Sequence, residues 1–209
     1  MKKRGTMNSK IALMISMFFC LAFASPVTAT ASTVTDEVKG TVDGVLKIVT
    51  DKELKKAQNE QKRRKELKAV IGRIFDYGEM AKRSLGVHWK TLTSAQQKEF
   101  VDLFATLLEN SYADKIESYN QENIVYGKEL VEGNYAEVNS RVITAKRDEF
   151  TLDYRLLRKS NKWMVYDVVI EGVSLVSNYR TQFNKIIVER GYNELVKKMR
   201  TKSEEITAP

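Results

Sequence analysis

The sequence predicts an α+β fold built around one antiparallel sheet, and three observations predict it. Apolar residues recur at helical spacing from Val34 to about Tyr119. After Asn123 the period drops from 3.6 to 2, and after Gly172 it returns to helical spacing. The period-2 stretch is cut by three short polar turns, so its strands are joined as hairpins in one meander, with helices before and after it.

Taken in order, Val34, Val38, Val42, Val45 and Val49 step by 4, 4, 3 and 4, one face of a first helix. Asp51 is expected to cap a second, basic helix over about 52–72, with Leu54, Ala57, Arg64, Leu67 and Ile71 as a thin stripe. A shorter helix runs from Asp76 to Leu85, with Gly86 as its stop. Thr93-Ser-Ala-Gln96 has the spacing of a capping box and opens the longest helix, about 94–120, whose stripe includes Phe100, Leu103, Phe104, Leu107, Leu108 and Tyr112.

Four strands are expected at about 123–131, 135–145, 149–159 and 162–171, turning at Glu132-Gly133-Asn134, Lys146-Arg147-Asp148 and Ser160-Asn161. In the second, one face is small throughout: Ala136, Val138, Ser140, Val142 and Thr144. In the third, Phe150, Leu152, Tyr154 and Leu156 share a face, and in the fourth Met164, Tyr166, Val168 and Ile170 are expected to do so. Val173, Val176, Phe183 and Ile187 then mark a helix capped by Ser174 and ended by Gly191. Leu195, Val196 and Met199 mark a last one.

The chain has 209 residues and a formal charge of +8, which on its face suggests nucleic acid or an anionic membrane. Its distribution changes that reading. Lys2, Lys3, Arg4 and Lys10 precede a fourteen-residue apolar run, 11–24, then Pro26 and the small triplets ending at Ala29 and Ala31. Fourteen helical residues span ~21 Å, short of a ~30 Å hydrocarbon core, so residues 1–31 read as a secretory signal peptide cleaved near Ala29 or Ala31. Residues 32–209 form a single domain: a helical lobe (about 33–120), the sheet (about 123–171) and C-terminal helices (about 174–203). Without the leader the charge is +4, and the segment 52–68 alone carries +5. One basic segment sits on a near-neutral body, poor grounds for a nucleic-acid binder and reasonable grounds for a membrane or an acidic partner.

Catalytic constellations are missing. The only Cys, Cys20, lies in the leader, and a single histidine, His88, excludes paired-His metal motifs and is read as a packing or hydrogen-bonding residue. The glycines are scattered, and Ser174 has no base in prospect. The expectation is a protein that is not an enzyme and needs no cofactor or metal.

Two stretches carry a resemblance: Phe75-Asp-Tyr-Gly-Glu-Met-Ala-Lys-Arg-Ser-Leu-Gly-Val-His-Trp-Lys90, running into Thr93–Phe100, and Trp163-Met-Val-Tyr-Asp-Val-Val-Ile-Glu-Gly-Val-Ser-Leu-Val-Ser-Asn-Tyr-Arg180. Together they resemble the MlaC family of toluene-tolerance-type periplasmic phospholipid-binding proteins. The resemblance implies a twisted, nuclear-transport-factor-like sheet of four strands with helices around a lipid pocket. It implies a monomeric periplasmic carrier of phospholipid, its cargo shuttled between an outer-membrane lipoprotein–porin complex and an inner-membrane ABC transporter with an MCE-type subunit, maintaining outer-membrane lipid asymmetry. Ser94 departs from the family pattern, where proline is common, and Lys62-Arg63-Arg64-Lys65 matches no family motif.

Positions matching the motif put Val173, Leu175, Val176 and Tyr179 at the pocket wall or mouth. Periodicity adds Phe104, Leu108 and Tyr112 from the long helix and Val142, Leu152, Tyr154, Val168 and Ile170 from the sheet. Lys62, Arg63, Arg64 and Lys65 are candidates for contact with a partner or a lipid head group. Two alternatives stand beside this: an interaction module docking membrane complexes through the basic segment, and the same fold carrying another apolar cargo such as a hopanoid.

Overall fold

A computed structural model describes residues 33–207; the leader expected over residues 1–31 lies outside them. Four helices come first: α1 (Val34–Thr50), α2 (Glu60–Ile71), α3 (Tyr77–Leu85) and α4 (Ser94–Glu117). The strands follow as β1 (Asn123–Glu132), β2 (Tyr135–Ile143), β3 (Glu149–Lys159), β4 (Lys162–Ile170) and β5 (Val173–Ser174), and then α5 (Leu175–Arg190) and α6 (Tyr192–Thr207). The sheet is antiparallel in the order β1-β2-β3-β4-β5.

The capping box expected at Thr93, the Gly86 stop and the Ser174 cap are present; the cap expected at Asp51 is not, because α2 starts after Asn59. Thr93 and Gln96 close a reciprocal capping box on α4, as Thr33 and Asp36 do on α1. Asp76 accepts from the Glu79 N–H to start α3, and Gly86 ends it at φ +55°, a conformation in which a Cβ would be strained. The β3–β4 turn has both central residues left-handed, Ser160 at φ +46° and Asn161 at +63°, the hand that matches strand twist.

Three expectations need correction. The sheet has five strands because Val173–Ser174 doubles back on Val169 and Ile170, a two-residue pairing too short to show a period. The second helix begins at Glu60, not near 52. Asp51 Oδ1 accepts from the N–H groups of Glu53 and Leu54, which settles 52–56 into turns, and a 3₁₀ turn at Ala57–Asn59 leads into α2. In β4, Met164 and Tyr166 do not share a face with Val168 and Ile170. The partners run Tyr154↔Val168 and Arg155↔Asp167 but Leu156↔Val165, so Tyr166 is the extra residue of a bulge. The inward set is Val165, Val168 and Ile170. At the bulge the β4 edge is covered by the chain before α3, with the Val165 N–H donating to Ile74 O (2.7 Å) and the Asp76 N–H to Val165 O (2.8 Å).

The core has three parts. Met80, Leu85, Phe100, Phe104, Val176, Phe183, Leu195 and Met199 pack α3, α4, α5 and α6 together. The inward face of the sheet, with Val138, Tyr154, Leu156, Val165 and Val168, packs against Val34 and Val38 of α1, Ile74 and Leu175. Ile48, Val49, Leu54 and Leu67 join α1 to α2, with Ile116 and Tyr119 packed on them. This third cluster stands off from the sheet, and the gap it leaves positions the site.

Candidate lipid-binding site

Between the sheet and α1, α2 and α4 lies a cavity of about 740 Å³, within the ~300–1,000 Å³ usual for ligand sites. Its floor is made where strands pair: Val142 faces Phe150, Leu152 faces Ile170, and Tyr154 faces Val168. Alternation makes this floor, since every second residue of β3 and the bulge-corrected half of β4 must point the same way. Val38, Val42, Val45 and Leu46 of α1 form one wall, Leu67 and Ile71 of α2 and Leu108, Tyr112 and Ile116 of α4 another, and Phe75, Met80 and Leu175 close the remaining side. Leu152, Ile170, Phe150 and Ile116 are half-buried although they belong to the interior. A close-packed core would cover them.

Among the wall residues only Lys65, Lys68, Lys115 and Ser118 are exposed, and all four lie on α2 or at the end of α4. They mark the mouth. Beside it, ion pairs hold α2 and α4 together. Arg63 donates to Glu117 (2.5 Å) and to Leu54 O (2.6 Å), with both charged side chains largely buried. Arg64 lies near Glu60, Asp114 and Glu117, and Lys68 reaches Glu109 (3.0 Å). Asn110 Nδ2 and Glu109 Oε1 are buried on the wall with no hydrogen-bond partner among the described residues. An unpartnered buried polar atom ordinarily costs ~1–3 kcal/mol. Burial also raises the pKa of the Tyr112 and Tyr154 phenols, in Tyr154 aided by Tyr126 and Asp153, so both are neutral at physiological pH.

Of the candidates drawn from the sequence, Leu108, Tyr112, Val142, Leu152, Tyr154, Val168, Ile170 and Leu175 lie on the cavity wall. Phe104, Val176 and Tyr179 do not. They pack in the all-helical cluster, where the Tyr179 ring meets the Phe104 ring edge-on at 5.4 Å. Val173 is 55% exposed on β5 and reaches no part of the wall. The motif those residues belong to makes a corner. Asp167, only 3% exposed, accepts from the Val176 N–H (3.0 Å) and the Ser174 hydroxyl (2.6 Å), and Ser174 in turn caps α5.

The basic cluster divides. Arg63 is a strut between elements, Arg64 and Lys65 line the cavity, and Lys62 is exposed away from it. The cavity residues the sequence reading missed include the α1 and α2 wall, with Val42, Val45 and Ile71, and also Phe75, Met80, Ile116, Phe150 and Val165. The α1 and α2 stripes were legible, but the space beside them was not. His88 has the hydrogen-bonding role expected of it, its Nε2 lying 2.9 Å from Asn184 Oδ1. A second hollow, about 430 Å³ between α4 and α6, is edged by Gln96, Glu99, Asn193 and Arg200, and an Arg200–Glu99 ion pair lies in it. Among the described residues no three His, Cys, Asp or Glu side chains gather to hold a metal ion, and no helix is long and apolar enough to cross a membrane.

The family model described as MlaC protein matches residues 39–201. The intermembrane phospholipid transport system binding protein MlaC of Haemophilus influenzae is 31% identical over 120 residues, an alignment spanning 55% of this chain and 56% of that relative. Among solved structures, the phospholipid-binding protein of Ralstonia solanacearum in complex with a phospholipid superposes with a TM-score of 0.77 at 27% identity, over 85% of this chain and 100% of that one.

Proposed function

The chain belongs to the MlaC family, and from that premise we propose that it is a periplasmic, non-enzymatic carrier that takes up phospholipid by its acyl chains. In this reading it passes lipid between an inner-membrane ABC transporter complex with an MCE-type subunit and an outer-membrane lipoprotein–porin complex. The observation that carries the reading is the cavity of about 740 Å³, floored by β2, β3 and β4 and apolar except at one end.

The energetics explain why such a space suffices. An acyl chain of ~16 carbons loses ~13 kcal/mol when it leaves a bilayer, at ~0.8 kcal/mol per CH₂. A carrier must return a comparable amount by dry apolar contact, and it needs no reacting group to do so. The phospholipid complex of the Ralstonia solanacearum protein supports the same use of this fold.

The test is to purify the chain without its leader, extract it with organic solvent, and identify the extract by mass spectrometry. Phospholipid near one molecule per protein is expected. A lipid-free extract, together with no uptake from phospholipid vesicles, would remove the proposal. A hopanoid in its place would keep the carrier and change its cargo.

A further inference from the structure

We propose that cargo enters and leaves the cavity through the seam between α2 and α4, with α2 swinging as a door on α1 and its ion pairs to α4 serving as the latch. The inference rests on the carrier reading and adds the route by which the carrier loads and empties.

Three observations carry it. First, α2 is held differently on its two sides. Toward α1 the contact is apolar and close: Leu67 packs with Ile48, Val49 and Leu54, and Val70 sits so tightly on Gly44 that a Cβ there would lie 3.1 Å from the Val70 Cγ1. Toward α4 the ties are charged. Arg63 meets Glu117 at 2.5 Å, Lys68 meets Glu109 at 3.0 Å, and Arg64 lies 3.5 Å from both Asp114 and Glu117, with Ile116 packed beside the apolar cluster. An ion pair that parts is taken up by water at both ends, whereas parting a dry apolar contact exposes both of its faces.

Second, the seam is imperfectly satisfied while closed. Among the described residues six buried side-chain polar atoms lack a hydrogen-bond partner, and four of them gather here. Arg64 Nε and Glu117 Oε1 face each other across the seam at 3.5 Å, and Glu109 Oε1 and Asn110 Nδ2 lie beside it on α4. The closed state leaves these groups dry. Opening gives each of them water, which lowers the cost of parting the shell at this seam.

Third, the ends of α2 suit a hinge. Its start has no side-chain cap from Asn59 and follows a run of turns from Lys52. Its end turns at Gly72 and Arg73 before backbone bonds between Ile74 and Val165 fix the chain to β4. Leu67 and Ile71 of α2 line the cavity, so a swing about these ends uncovers the apolar interior.

The experiment uses the absence of cysteine from residues 32–209. In Lys68→Cys/Glu109→Cys a reducible bifunctional thiol reagent joins α2 to α4. In Thr35→Cys/Glu129→Cys it joins α1 to β1, where the Thr35 hydroxyl and N–H already donate to Glu129. Each protein is loaded with fluorescent phosphatidylglycerol, cross-linked and mixed with phosphatidylcholine vesicles, and the rate of lipid transfer is read. The α2–α4 link should slow transfer by about tenfold or more, and reduction should restore it, because the link holds a gate shut. The α1–β1 link should leave the rate unchanged. Without any cross-link, Glu117→Gln should speed transfer by about tenfold, as loss of one charged hydrogen-bond partner allows. Lys68→Gln, whose ion pair is more exposed, should speed it less and guards against a folding defect in Glu117→Gln. Undiminished transfer through the α2–α4 link, arrest by the α1–β1 link, or unaltered rates in both single variants would each overturn the inference and leave the carrier standing. A protein that neither takes up nor releases lipid before cross-linking would sink the carrier reading and this inference with it.

Discussion

Leu152 and Val173 separate two kinds of apolar residue that look alike in the sequence. Leu152 projects from mid-β3 into the cavity opposite Ile170, whereas Val173 is 55% exposed on a two-residue strand. Leu152→Trp should fill space that cargo would use, lowering bound lipid several-fold while leaving the unfolding temperature unchanged or raised, because the added ring enters a void and meets no packed neighbour. Val173→Asp should leave lipid content unchanged and stability within about 0.5 kcal/mol. Lipid analysis and thermal unfolding of the two variants check both statements. Tyr126 offers a different residue-level test. Its hydroxyl is buried without a partner among the described residues, and burial, reinforced by Asp43, pushes the phenol up to about 12. The unfolded chain ionises near ~10, so the stabilising difference is intact below that pH and is lost as pH rises from about 10 through 12. Tyr126→Phe should therefore soften the alkaline decline in stability seen by denaturant titration. At neutral pH it should be neutral or stabilising by up to ~1 kcal/mol, since it deletes an unsatisfied polar group.

At the level of elements, what the sequence made legible depended on whether a signal was local. The Thr93 capping box, the Gly86 stop and the Ser160-Asn161 turn involve neighbours in the chain, and they hold, whereas Asp51 forms its local turn without opening the helix expected after it. The bulge at Tyr166 depends on how β4 meets β3 and on the backbone of Ile74 and Asp76 claiming Val165. No period within β4 could announce it, and one slipped residue turned Met164 and Tyr166 to the other face. The eight candidates on the cavity wall come chiefly from strand and helix periodicity, and three of the four carried by the conspicuous 163–180 motif miss it. The motif has two roles: Val165, Val168, Ile170 and Leu175 line the cavity, while Asp167 and Ser174 build the turn from sheet to α5, with Asp167 as its keystone. Asp167→Ala would leave the Val176 N–H and the Ser174 hydroxyl without their acceptor, at a cost of about 2–3 kcal/mol. For a domain of this size that is roughly 5–10 °C in unfolding temperature. Asp167→Asn, which keeps one acceptor oxygen, should recover part of the loss. Calorimetry on both variants decides whether the motif is a structural corner, and a neutral Asp167→Ala would show that it is not.

For the molecule as a whole, the cavity is a stability problem as well as the proposed binding site. A close-packed domain gains dispersion and burial from every inward side chain, but here the floor of the sheet and the facing sides of α1, α2 and α4 enclose about 740 Å³ that the protein does not fill. The helices beside it are held chiefly by the Ile48–Val49–Leu54–Leu67 cluster and by the Arg63–Glu117 and Lys68–Glu109 ion pairs, whereas the α3–α6 side carries a continuous aromatic core. Cargo that enters the folded state alone stabilises it by mass action, ~2.7 kcal/mol when present at about one hundred times its dissociation constant. Delipidated protein should therefore unfold about 5–10 °C below the loaded form. The deficit should be uneven. Hydrogen exchange should rise in α1, α2 and the second half of α4, and change little in α5 and α6, which touch the cavity through Leu175 alone. Equal melting of the two forms would mean that the void collapses on emptying. Uniform exchange would mean that the two sides of the molecule are not energetically distinct.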